Sequence, residues 1–105
     1  MEIISVDELH EKAGTLGANE LILDVRTADE FAEGHIQGAR NTPHDEVANI
    51  AAELKKYKTV YVHCKMGGRA KKASETLIGA GLGNVVCVGN GGMQRWMDMG
   101  WDYSS

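Results

Sequence analysis

The chain has 105 residues, 43% of them hydrophobic and 25% charged, with a formal net charge of -4. That length suits one domain, residues 1–105, built on one core, and the composition excludes a disordered polymer. The acidic balance excludes nucleic acid as a general partner, since phosphate binding needs a basic face; a local positive pocket for a small anion remains compatible with it.

Ile3 and Ile4 begin the chain as a short strand. Ser5 opens S-V-D-E, a capping box with Glu8, so a helix follows to about Ala13 and stops at Gly14. Leu21 to Val25 is continuously apolar and reads as a buried strand. Thr27 and Glu30 form a second capping box, T-A-D-E, opening a short helix that ends near Gly34. Ala39 to Thr42 is a weak strand. Thr42, with Pro43 at the first helical position, is expected to start a helix with Val47, Ile50, Ala51 and Leu54 on one face. Thr59 to His63 is the next strand. Residues 69–79 follow as a helix, with Ala70, Ala73, Leu77 and Ala80 on one side. Asn84 to Val88 is the last strand and Met93 to Met97 a short final helix. Apolar strands alternating with helices predict an α/β fold: an open parallel sheet with helices on both faces. Ligands of such sheets bind at the C-terminal ends of strands, which directs attention to the segment after His63.

Runs such as Leu21 to Leu23 and Val85 to Val88 are too short to cross a membrane. Asp7, Glu8 and Glu11 stand where a secretory signal would need an apolar stretch, so a cytoplasmic location is expected. The two cysteines, Cys64 and Cys87, are too few and too far apart for a disulfide framework, and the four histidines show no metal-binding spacing.

The residues that carry chemistry lie in T-V-Y-V-H-C-K-M-G-G-R-A-K-K-A. Cys64 follows a strand directly, Gly67 and Gly68 permit a compact turn, and Arg69 opens a helix. Such a loop points successive N–H groups inward as an anion nest, and the helix N-terminus adds partial positive charge. Lys65 and Arg69 add full charges. This field favours the thiolate, the reactive form of cysteine. The loop therefore reads as a cradle for a cysteine nucleophile and an anionic substrate. Cys87 sits in Val85-Val86-Cys87-Val88 and is expected to behave as a small hydrophobe. His63 adjoins Cys64, but neighbours on a strand face opposite sides, so the two are not expected to pair. His35 is expected to fix a loop through hydrogen bonds.

Four stretches together resemble a single-domain rhodanese, the thiosulfate sulfurtransferase-like family. They are Asp24-Val25-Arg26; Glu30-Phe31 through Gly34-His35-Ile36 to Gly38-Ala39; Cys64-x-x-Gly67-x-Arg69; and Gly91-Gly92 followed by Trp96. The resemblance implies a central parallel five-stranded sheet, no cofactor, and a Cys64 persulfide formed from a sulfane donor such as thiosulfate and emptied by a thiophilic acceptor, cyanide or a thiol, including a sulfur-accepting protein. It further implies that Lys65, Met66, Gly67, Gly68 and Arg69 line the substrate pocket, and that Asp24 braces the loop or its arginine. Arg26 and His35 look structural by the same comparison, and Glu30 is accounted for as a cap. Met66 replaces a polar residue of the family loop; it makes one wall apolar and admits a larger or less charged donor.

Two other readings compete. His63-Cys64 and Arg69 superficially resemble a cysteine phosphatase loop, but only four residues, Lys65 to Gly68, separate Cys64 from Arg69. Phosphatase loops are longer, so this smaller cradle suits a sulfur atom better than a phosphate. Alternatively the domain is a persulfide carrier or protein-interaction module without turnover of its own.

Overall fold

The computed structural model describes all residues, 1–105. Five parallel strands form one sheet in the order β1-β5-β4-β2-β3, with β1 Glu2–Ile4, β2 Glu20–Asp24, β3 Arg40–Asn41, β4 Thr59–His63 and β5 Val85–Val88. The continuously apolar strands have the reason expected of them: both faces of the sheet are covered. Leu21, Leu23, Val60, Val62 and Cys87 face one layer of helices, α3 Ala51–Leu54, α4 Gly68–Gly79 and a preceding 3-10 helix, His44–Ile50. Ile22, Tyr61, Val86 and Val88 face the other, α1 Val6–Ala13 and α5 Gly92–Asp98. Each fully buried Leu or Val in these two cores contributes roughly 1.5–3 kcal/mol of transfer free energy.

Both capping boxes form. Ser5 Oγ accepts from Glu8 N, and Thr27 Oγ1 accepts from Glu30 N at the start of α2, Ala28–Glu33. Three boundaries depart from the sequence reading. Pro43 is not in the first helical turn. Thr42 N donates to Asp24 O and His44 N to Val25 O, which keeps the chain extended through Pro43, at φ −53 and ψ 147. Beyond it the expected single helix divides: seven residues of 3-10 helix end at Ile50, whose φ of −112 breaks the run, and one α turn follows. Ile50 is half-buried, whereas Val47, Ala51 and Leu54 do reach the core. Ala80 is exposed, outside the α4 stripe. Gly81 takes a left-handed φ of +97 and ends the helix, and Leu82 N bonds to Leu77 O, so Leu82 fills the core position instead.

The sheet order puts β4 in the middle, flanked by β5 and β2. Cys64 therefore leaves the central strand at the carboxyl edge, where α2, α4 and α5 all begin within reach.

Candidate active site

Cys64 continues the alternation of Val60 and Val62 into the first core, and its thiol is 1% exposed. Lys65 and Met66 then run along the surface. Gly67 turns the chain back at φ +121, and a Cβ there would collide with the Gly89 carbonyl oxygen, so only glycine fits. The turn brings Gly67 N to 3.0 Å and Ala70 N to 3.3 Å from Cys64 Sγ. Both donors belong to the start of the 12-residue helix α4, whose first-turn N–H groups have no partners of their own and carry its partial positive charge.

A second helix start clamps the loop from outside. Gly91 and Gly92 have φ of +85 and +33, and a Cβ on Gly92 would overlap the Cys64 carbonyl oxygen. This close approach lets Met93 N donate to Cys64 O at 2.8 Å and Gln94 N to Lys65 O at 3.0 Å. The free amides of α5 thus take the loop's carbonyls, and the loop's own N–H groups are left to the sulfur.

Charged groups form two separate pairs around this centre. Arg69 makes a two-pronged contact with Glu30, Nη1 to Oε1 at 2.6 Å and Nη2 to Oε2 at 3.0 Å. The two side chains are 30% and 29% exposed. Hydrogen bonding from Arg69 is the main reason the Glu30 carboxyl lies at about 2. The second pair is buried. Arg26 Nη2 meets Asp24 Oδ2 at 2.6 Å and also donates to Gly34 O at 2.8 Å, so it closes the end of α2. Asp24 therefore braces Arg26 and not the Cys64 loop or Arg69; Glu30 holds the loop's arginine. The reason is position. Asp24 ends β2 under Arg26, two residues on, whereas Glu30 lies a turn into α2 and reaches across to Arg69.

His63 is fully buried beside Asp24, with Nε2 3.8 Å from Oδ2, and neither ring nitrogen has a hydrogen-bond partner. Burial pushes its pKa below the ordinary value, against an opposing pull from Asp24. His35 fixes a loop: Nδ1 lies 2.8 Å from Phe31 O and the ring stacks on Phe31. Cys87 is equally buried, and burial pushes its thiol pKa up.

The residues expected to line one pocket divide between two. Lys65 borders a cavity of about 170 Å³, together with Arg26, Glu30, Glu33 and the α5 residues Met93 and Met97. Met66, Gly67 and Gly68 border another of about 390 Å³, on the β5 side, which also reaches Cys87 and Lys71. Met66 is 69% exposed and is the apolar lip of that side. Three contributors escaped the sequence reading. The Ala70 amide could have been found, because any helix opening at Gly68 offers such donors. Gly92 was visible as part of a Gly-Gly pair before a helix. Glu30 carried no such signal, because Thr27 already explained it and its partner lies 39 residues away.

Fold and loop together define the class: an α/β protein that sets one cysteine in a cradle of backbone N–H groups at the carboxyl edge of a parallel sheet. The rhodanese-like domain description matches residues 5–99, and the chain belongs to that family. It is 35% identical over 111 residues to thiosulfate sulfurtransferase 18 of Arabidopsis thaliana, covering 92% of this chain and 80% of that protein. It is 30% identical over 113 residues to the mitochondrial protein HIGH ARSENIC CONTENT 1 of the same plant, covering 96% of this chain and 66% of that one. The crystal structure of a rhodanese-like domain protein from Staphylococcus aureus superposes with a TM-score of 0.83 at 34% identity, covering 100% of both chains. No helix is long and apolar enough to cross a membrane.

Proposed function

We propose that this chain is a thiosulfate sulfurtransferase-like enzyme that moves sulfane sulfur through a persulfide on Cys64. The observation that supports this most directly is the pair of amides, Gly67 N and Ala70 N, aimed at Cys64 Sγ. Two donors on one sulfur favour a thiolate, and later the terminal charge of a persulfide, over a neutral thiol. In the first half-reaction the Cys64 thiolate attacks the outer sulfur of a donor such as thiosulfate. A Cys64 S–S bond forms, the donor's S–S bond breaks, and sulfite leaves with the electron pair. In the second, an acceptor thiolate or cyanide attacks the outer sulfur of the persulfide, and the Cys64 thiolate is the leaving group. Every atom is accounted for without a cofactor or metal.

Lys65 and Arg69 serve the anionic part of the donor. Met66, Gly67 and Gly68 shape the loop's other wall. Asp24 acts at one remove, through Arg26 and the end of α2. The partners are a small anionic sulfur donor and a thiophilic acceptor, which extends to a sulfur-accepting protein; neither nucleic acid nor a membrane takes part, and the location is the cytoplasm. Intact-protein mass spectrometry after incubation with thiosulfate tests the scheme. The expected result is a gain of one sulfur atom that a reductant removes and that Cys64→Ser abolishes. No gain from thiosulfate or any other sulfane donor would overturn it and leave the interaction-module reading. A gain followed by transfer only to a protein acceptor, with no turnover on cyanide, marks a carrier.

A further inference from the structure

The mouth of the cradle is close to electrically neutral, although it is built from cations. Arg26 is closed on Asp24, and Arg69 is closed on Glu30 through both terminal nitrogens. Around the cavity next to the loop this leaves Lys65 facing Glu33. The Glu30 carboxylate also stays ionised through any ordinary pH, so acidity does not release Arg69. A dianion entering here meets one carboxylate for each available cation. A donor with a single charge meets half the repulsion from Glu30 and loses less hydration on entry.

We propose that Glu30 is a specificity-determining residue that withholds Arg69 from doubly charged donors and sets the site for singly charged sulfane donors, thiosulfonates and hydropersulfides, over thiosulfate. This rests on the sulfur-transfer reading of Cys64. The apolar side chains of Met93 and Met97 on the same cavity, and of Met66 on the other side of the loop, suit an organic substituent where thiosulfate carries its second charged oxygen. The chemistry is unchanged. Cys64 attacks the outer sulfur, the S–S bond breaks, and a sulfinate or thiolate leaves with the electron pair.

The experiment uses steady-state kinetics with two isosteric donors, thiosulfate with two charges and methanethiosulfonate with one, on the wild-type protein, Glu30→Gln and Glu33→Gln. Glutamine keeps the capping-box hydrogen bonds of α2, so Glu30→Gln removes the charge and little else. The wild type should show a lower KM for methanethiosulfonate than for thiosulfate. In Glu30→Gln the KM for thiosulfate should fall roughly tenfold and that for methanethiosulfonate about threefold, as a doubly and a singly charged ligand should respond to one lost charge. The kcat values should stay close to wild type. Glu33→Gln, which makes no contact with Arg69, should move KM less. An unchanged or raised KM for thiosulfate in Glu30→Gln overturns the proposal, as does an equal effect of Glu33→Gln. If Glu30→Gln fails to fold, the wild-type ranking decides, and a preference for thiosulfate overturns it. If neither donor loads Cys64, the sulfur-transfer reading itself falls and this one falls with it.

Discussion

Cys64 and Cys87 are nearly indistinguishable by burial. Each is 1% exposed, and both belong to the same core of 15 residues. Their surroundings separate them. Cys87 sits inside β5, where the backbone N–H groups are committed to the sheet, and burial alone raises its pKa. Cys64 sits one residue past β4, where a helix start points two uncommitted N–H groups at it. A buried sulfur is thus inert or poised according to which backbone donors remain free nearby, and a single position beyond a strand end decides that.

The comparison breaks most sharply at the sulfurs themselves. Cys64→Ser should reduce sulfur transfer to background, a loss of ~10³-fold or more, with the far-ultraviolet circular dichroism and the unfolding transition intact. Cys87→Ser should keep most of the activity, since its thiol serves only packing. Loss of transfer in Cys87→Ser with retention in Cys64→Ser would reverse the assignment.

A smaller change sharpens the comparison by making the Cys64 environment more like that of Cys87. Gly67→Ala puts a methyl group against the Gly89 carbonyl at a φ of +121. The loop must shift, which should cost roughly 2–3 kcal/mol of stability, read as a lower urea midpoint. Because Gly67 N is one of the two donors to Sγ, the rate of persulfide formation should fall as well. A variant with normal stability and a normal loading rate would show that the amide at 3.0 Å is incidental.

How much of this was legible beforehand follows from the range of each interaction. The strands, both capping boxes and the Cys64 loop are local: each is written in residues at most a few positions apart, and each formed where it was expected. The 3-10 segment after Pro43 was not legible, because its cause is non-local. Two amides bond back to the end of β2, and no periodicity in residues 42–54 records that. The same holds within the site. The cradle of Gly67 and Ala70 is a property of one loop, whereas the pairing of Arg69 with Glu30 joins residues that only the fold brings together. Asp24 and Glu30 are both acidic residues that precede or open α2, and sequence alone offers no ground for deciding which of them reaches the loop.

The smallest expected effect concerns His63, the residue between the sheet and Cys64. Its ring is buried without a hydrogen-bond partner, and desolvation lowers its pKa in the folded protein despite Asp24 nearby. In the unfolded chain the imidazole takes up a proton near pH 6.5, whereas in the folded protein it resists until the pH is lower. Stability from His63 is therefore complete above pH 6.5 and is lost as the pH falls below it. The unfolded chain binds the extra proton over that interval, and from pH 6.5 to 5.5 the loss should be about 1 kcal/mol. Urea unfolding across that range measures it. His63→Leu has no ring hydrogen bond to forfeit and should flatten the slope. If the slope survives the substitution, the acid sensitivity belongs to another group. If the wild type shows no slope, His63 is protonated in place, with Asp24 as its counter-ion, and the residue preceding Cys64 then adds a positive charge to the site rather than an apolar wall behind it.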